Sequence, residues 1–218
     1  MKPRCSNRKD RALTRIEVLV ISAVSGVLLC LALIWLLQAK RRAGSICCNC
    51  NLKQIGLAFR IWEGDNGDKY PMQVPARRGG AMEPALQGNV ARIFQVMSNE
   101  LSTPKILVCP ADADRSVANG FAFGFDGSHV SYFAGLDAND RYPQGLLSGD
   151  SNLAVDGAPV NSGLLRIMAN QSVAWTAERH QNQGNVGLAD GSVQTASSPF
   201  LQKIFEQTGL ATNRLVIP

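Results

Sequence analysis

The hydrophobic positions of this chain change rhythm partway along it. From Val18 to Leu37 twenty successive residues carry no charge. A helix of that length is about 30 Å long, the thickness of a bilayer's hydrocarbon core. The run gives way to Gln38-Ala39-Lys40-Arg41-Arg42, a basic stop in place of the small-residue cleavage site that ends a secretory signal peptide. The segment predicts a membrane anchor that stays on the chain. Next comes a one-sided pattern: Cys48, Leu52, Ile55, Phe59 and Trp62 are spaced 4, 3, 4 and 3, with Asn49, Lys53, Gln54, Arg60 and Glu63 elsewhere. That is the apolar stripe of an amphipathic helix. Gly44 and Gly56 each weaken it by about 1 kcal/mol, and Gly64-Asp65-Asn66-Gly67-Asp68, then Tyr70-Pro71, ends it.

Beyond this helix the pattern is weaker. Residues 72–90, rich in Gly, Pro, Arg and Gln, read as loop. Asn89–Leu101 reads as a short helix with Val90, Ile93, Phe94 and Met97 on one side. Lys105–Cys109 reads as a strand stopped by Pro110. From Ala111 to Gly163 the apolar runs are short, and only loops and short strands are expected. Ser172–Thr176, Val186–Leu188 and Ser192–Thr195 are strand candidates, the last two joined by the hairpin signal Asp190-Gly191. Phe200–Gln207 predicts a final short helix.

Charge sharpens the division. Residues 1–42 hold 9 of the 22 Lys and Arg and 2 of the 17 Asp and Glu, a net +7, and the remainder carries −2. The basic charge flanks the apolar span, so no nucleic-acid partner is expected. Six basic residues up to Arg15, against three at 40–42, place the N-terminus inside and the later residues across the membrane. Glu17, at the lip of the span, either snorkels to the headgroups or has a function.

Of six cysteines, Cys5 lies before the span and Cys30 within it. Cys47, Cys48, Cys50 and Cys109 would then face an oxidising compartment, where three pairings are open to them. A bridge from the helix cluster (Cys48 or Cys50) to the Cys109 loop is the expectation. Zinc on Cys47, Cys48, Cys50 and Cys109 is the alternative, opposed by the lack of paired CxxC motifs and by only two histidines.

Ala12-Leu13-Thr14-Arg15-Ile16-Glu17 with an apolar run after it resembles the type IV prepilin N-terminus. Ala12, Leu13 and Arg15 stand where Gly, Phe and an apolar residue are commoner. The resemblance implies a prepilin peptidase cut between Ala12 and Leu13, N-methylation of Leu13, and a role for Glu17 in assembly through a neighbouring subunit's amino group. Four further places resemble pilin-like proteins that carry a C-terminal H-X9-DG segment. These are Cys48-x-x-Asn51-Leu52-Lys53-Gln54-Ile55-Gly56, Asp65-Asn66-x-x-Lys69-Tyr70-Pro71, Val108-Cys109-Pro110-Ala111-Asp112, and His180 nine residues before Asp190-Gly191.

The resemblance implies a pilin-like α+β fold, a long helix packed on a small, mostly antiparallel sheet with long loops. It divides the chain into a leader (1–12), a transmembrane helix (13–37), its amphipathic continuation (38–63) and a soluble domain (64–218) holding segment 180–191. The implied function is a pseudopilin of a type II secretion or type IV pilus-like system, in a bacterial inner membrane with its soluble domain periplasmic. Its partners would be the peptidase, other pilin-like subunits and inner-membrane lipids. The alternative is an unprocessed single-pass envelope protein with a ligand-binding or hydrolytic domain.

Catalysis is not expected. His180 and Asp190 could form a proton-transfer pair, but a hairpin turn at Asp190-Gly191, with His180 capping the preceding strand, explains the spacing. There is no G-x-S-x-G and no phosphate loop. No cofactor is expected; calcium on Asp65, Asn66 and Asp68 is the one metal option, with Asp112/Asp114 and Asp137/Asn139/Asp140 as similar acidic clusters.

Overall fold

The computed structural model describes residues 14–139 and 141–218, with no side chains described at 40–43. Cys5, Ala12, Leu13 and Asp140 therefore lie outside the described residues. The chain divides into two compact units between Lys40 and Arg41. The first helix, α1 (Arg15–Asp65), contributes to both.

In the N-terminal unit every described residue from 14 to 39 is exposed, Trp35 by 74%. This stretch is long and apolar enough to cross a membrane.

In the C-terminal unit α1 buries Cys48, Leu52, Ile55, Phe59 and Trp62, the stripe that the 4-3-4-3 spacing predicts. Glu63, expected on the polar side, is buried too. Its carboxylate lies 3.2 Å from Arg60, and this pairing is what lets a charge leave the surface. The helix ends where Asn66 Nδ2 donates to the Trp62 carbonyl and the chain enters the left-handed region at Gly67.

The unit is α+β. Strands β1 (Tyr132–Gly135), β2 (Leu146–Asp150), β5 (Gly163–Met168), β7 (Gln183–Leu188), β8 (Val193–Ser197) and β9 (Thr212–Ile217) form one sheet, ordered β5-β9-β1-β2-β7-β8. All its pairings are antiparallel. A smaller antiparallel sheet orders β4 (Ala158–Pro159), β3 (Leu153–Val155) and β6 (Val173–Trp175). Side chains alternate across the large sheet. Tyr132, Ala134 and Val216 join the core beneath α1, with Phe94 and Met97. Phe133, Leu215 and Ile217 join a second core beneath α5 (Ser198–Gln207), with Leu201, Ile204 and Trp175.

Three elements differ from the sequence expectation. Residues 72–90 are structured: short 3₁₀ turns at Pro71–Gln73 and Ala76–Arg78 precede α2 (Met82–Leu86), and Met72, Val74, Ala81 and Ala85 are buried. Asn89–Leu101 is two helices, α3 (Val90–Val96), capped by the Asn89 side chain, and α4 (Ser98–Leu101). Lys105–Cys109 is no strand, because Pro104–Leu107 forms a 3₁₀ helix. Thr103 caps its start and Pro104 sits at its first position, a helix-start signal that outweighs the apolar run.

Candidate functional site

The N-terminal unit and the C-terminal unit each hold residues singled out by the sequence. In the first, Thr14 and Glu17 form a reciprocal cap at the start of α1. The Thr14 N–H and hydroxyl donate to Glu17 Oε2 at 2.7 and 2.9 Å, and the Glu17 N–H donates to Thr14 Oγ1 at 3.3 Å. Thr-x-x-Glu is the capping-box pattern, in which two otherwise orphaned amides at a helix start are satisfied at once. Both described bonds to the carboxylate use one oxygen.

In the C-terminal unit, residues scattered from 48 to 195 converge. Cys48 on α1 and Cys109 on the loop before β1 form a disulfide with a Cα separation of 5.4 Å. Both are fully buried, whereas Cys47 and Cys50 are exposed and free. Ser131 fixes the Cys109 end: its Oγ accepts the Cys109 N–H at 3.0 Å, and its own N–H donates to the Leu107 carbonyl. One turn along α1 from Cys48, Asn51 Nδ2 lies 3.3 Å from both the Val108 carbonyl and the Tyr132 hydroxyl. The Cys48-to-Gly56 motif of α1 and the Cys109-Pro110-Ala111-Asp112 loop are thus tied together by a covalent bond and by an amide.

His180 completes the group. Its Nε2 lies 3.3 Å from Cys109 Sγ and 3.8 Å from Asp150 Oδ2. The imidazole does not cap a strand. It is held by a turn in which His180, Gln181 and Asn182 all have positive φ, at 50°, 55° and 59°. Left-handed conformations normally occur as single residues, since each costs a side-chain-bearing residue about 1–2 kcal/mol. Three in a row mark a place where the surroundings force the backbone. Beside it Arg179 places Nη1 3.0 Å from Asp112 Oδ2, and the same nitrogen donates to the Ser131 carbonyl.

Asp150, at the end of β2, is fully buried. Its Oδ2 accepts the Asn185 N–H at 2.7 Å and the Asn185 side-chain amide at 2.9 Å, while Oδ1 is buried without a hydrogen-bond partner. Asn185 is held in turn by the Thr195 hydroxyl. Burial pushes the Asp150 carboxyl above its ordinary range, against the lowering pull of His180 and then the Asn185 bonds. Burial also raises the Tyr132 hydroxyl, helped by the Asp150 charge. Outside this buried group a cleft of about 720 Å³ is lined by Ser45, Ile46, Glu178, Arg179, His180 and Gln181, among others.

The structure separates His180 from Asp190. Between them runs β7, whose six residues cover about 20 Å at the usual rise. Asp190 sits in the β7–β8 turn, where its Oδ1 accepts the Ser192 N–H and Gly191 supplies φ 84°. The nine-residue spacing is therefore the length of a strand and its two ends. The acidic partner of the histidine is Asp150, which the sequence reading missed along with Arg179, Ser131 and Tyr132. Tyr70, in the turn motif after α1, is buried edge-on to Phe59 and donates to the Ala189 carbonyl beside Asp190.

The calcium candidates Asp65, Asn66 and Asp68 are not among the side chains that converge here. Asp65 and Asp68 are exposed on the turn that ends α1, where Asn66 caps the helix. Asp112 is spent on Arg179 and Asp137 on Arg214. Among the described residues, the metal-ligating side chains whose donor atoms converge are Cys48, Cys109, Asp150 and His180, all within 4.8 Å of one another. Comparison with protein-family models, curated proteins and solved structures finds no match for the chain.

Proposed function

We propose that this chain is a pilin-like (pseudopilin) subunit, held in a bacterial inner membrane by residues 13–37 and assembled through that helix into a type II secretion or type IV pilus-like filament. The observation that carries the reading is the change of character within α1. Residues 14–39 are exposed apolar surface, which water disfavours and which lipid or neighbouring helices would cover. Farther along, the same helix buries a stripe under a folded domain. The buried disulfide fits a domain that matures in an oxidising compartment.

Glu17 is satisfied by Thr14 within one chain, and that changes the test of its role. Replacing it by Leu removes charge and cap together; Glu17→Gln removes the charge alone, because Gln serves in a capping box. If the carboxylate neutralises a neighbour's amino group, both variants insert into the membrane and are processed, and both lose the crosslinked subunit ladder of the wild type. A ladder kept by Glu17→Gln and lost by Glu17→Leu would assign Glu17 to the cap and remove the charge from assembly. The mature mass tests processing itself: loss of residues 1–12 with gain of a methyl group is expected.

A second reading, an unprocessed envelope protein with a ligand-binding domain, draws on the cleft beside His180. An unchanged N-terminus in the isolated protein would favour it.

A further inference from the structure

We propose that the reduced form of the Cys48–Cys109 centre is a zinc site, with Cys48, Cys109, His180 and Asp150 as its four ligands. This rests on the soluble unit alone and is independent of filament assembly. Two thiolates, an imidazole and one carboxylate make a donor set suited to Zn²⁺ and poorly suited to Ca²⁺ or Mg²⁺. Their donor atoms already lie within 4.8 Å of one another. In a tetrahedral zinc site with bonds of about 2.0–2.3 Å, neighbouring ligand atoms stand about 3.3–3.8 Å apart. Small side-chain rotations would close the group once the sulfurs are no longer bonded.

The surroundings of Asp150 point to a cation. Asp150 buries a carboxyl whose Oδ1 has no hydrogen-bond partner, and His180 Nε2 stands 3.8 Å from its other oxygen. A buried acid left in that state is costly, and a metal ion would satisfy it. The ligand carboxylate is also oriented from behind by the Asn185 amides, and Asn185 by Thr195, the outer support that metal-binding carboxylates usually have. The His180 ring stands against Cys109 in a turn of three consecutive left-handed residues.

The disulfide and the metal exclude each other. A dithiol reductant opens the Cys48–Cys109 bond by thiol–disulfide exchange: its two sulfurs become a disulfide and the chain gains two thiols. Zn²⁺ then binds both sulfurs as thiolates, releasing two protons to water, with His180 neutral and Asp150 ionised. Reoxidation by a small-molecule disulfide runs the exchange in reverse: that disulfide takes the two electrons and leaves as two thiols, the Cys48–Cys109 bond re-forms and the ion is expelled.

The test uses the full chain in detergent, with Co²⁺ as a spectroscopic stand-in and Zn²⁺ as competitor. After reduction with a phosphine, one Co²⁺ per chain should bind with a thiolate-to-cobalt charge-transfer band, and one equivalent of Zn²⁺ should abolish the band. The untreated, oxidised chain should show no such band. The double variant Cys47→Ser/Cys50→Ser should behave as wild type, whereas His180→Ala should weaken binding at least about ten-fold. Asp150→Asn provides a second ligand variant, with the same expected direction, if His180→Ala does not fold. Absence of the band in the reduced chain would overturn the proposal. So would loss of the band in the Cys47/Cys50 double variant, or undiminished binding in the ligand variants.

Discussion

Breaking the Cys48–Cys109 bond without adding metal is the most direct test of what holds the soluble unit together. The bridge joins positions 61 residues apart. In the chain-entropy account, closing a loop of that length removes about 14 cal/mol/K from the unfolded ensemble, about 4 kcal/mol at room temperature. A domain of this size shifts its Tm by about 2–4 °C per kcal/mol, so reduction should lower it by about 8–16 °C. The cleanest perturbation is chemical, because truncating either buried cysteine would add a cavity cost. The full chain in detergent, treated with a phosphine and a chelator, is melted beside the untreated chain and monitored by near-ultraviolet circular dichroism. Cys47→Ser and Cys50→Ser, at exposed thiols, serve as controls and should leave the shift intact. A fall of less than about 3 °C would refute the reasoning. It would mean that the Leu52, Ile55, Phe59 and Trp62 contacts, with the Asn51 amide, already constrain the loop as fully as the bond does.

Three further outcomes are expected. Gly56 is buried in α1, yet a Cβ there would meet no atom within 4 Å, so Gly56→Ala should raise stability by about 1 kcal/mol; a lower Tm would contradict this. At Gly184 a Cβ would fall 2.7 Å from the Trp175 ring, so Gly184→Ala should cost about 1–3 kcal/mol, and an unmoved urea midpoint would count against that packing. The Asp150 carboxyl is raised in the folded chain, chiefly by burial, so the unfolded chain ionises first. Stability is therefore lost as pH rises from about 4 through the folded-state value, and is constant above it. Asp150→Asn retains an acceptor for the Asn185 N–H and should remove that loss, so the variant's Tm relative to wild type should climb with pH. A difference that stays constant with pH would show that Asp150 ionises at the same pH in the folded and unfolded chains, so that burial does not raise it.

The helix was legible in the sequence because burial on one side leaves a period that can be counted: Cys48 to Trp62 repeat at 4 and 3. The hairpin at Asp190-Gly191 was legible because turn chemistry is local. Strands β1 and β2 were not, since both are buried on both faces and so lack alternation. β9 was missed for a similar reason, with Leu215, Val216 and Ile217 all in core. The site was half legible. Cysteines, the histidine and the Asp-Gly turn are conspicuous residue types, but their meeting depends on pairings far apart in sequence. Nothing local marks Asp150, a carboxyl at the end of Leu146-Leu147-Ser148-Gly149-Asp150, as the partner of His180. The nine-residue interval offered Asp190 only as an alternative to a hairpin turn, and the length of β7 keeps that residue away from the histidine.

The place of β9 in the sheet has a consequence for how the domain comes into being. It comes after β8 in the chain yet lies between β5 and β1, pairing six residues of β5 from Gly163↔Ile217 to Met168↔Thr212 and joining β1 at Ala134↔Val216. Strand β5 has no other neighbour in that sheet. The run β1-β2-β7-β8 can zip up as soon as Ser197 has emerged, but β5 stays unpaired until residues 212–217 arrive. A chain delivered from its N-terminus onward therefore waits, with two strand edges open, for β9 to be inserted between them. Such non-local closure is slow and exposes edges that other chains can pair with. Any factor that shields the nascent domain would act in that interval, on β1 and β5.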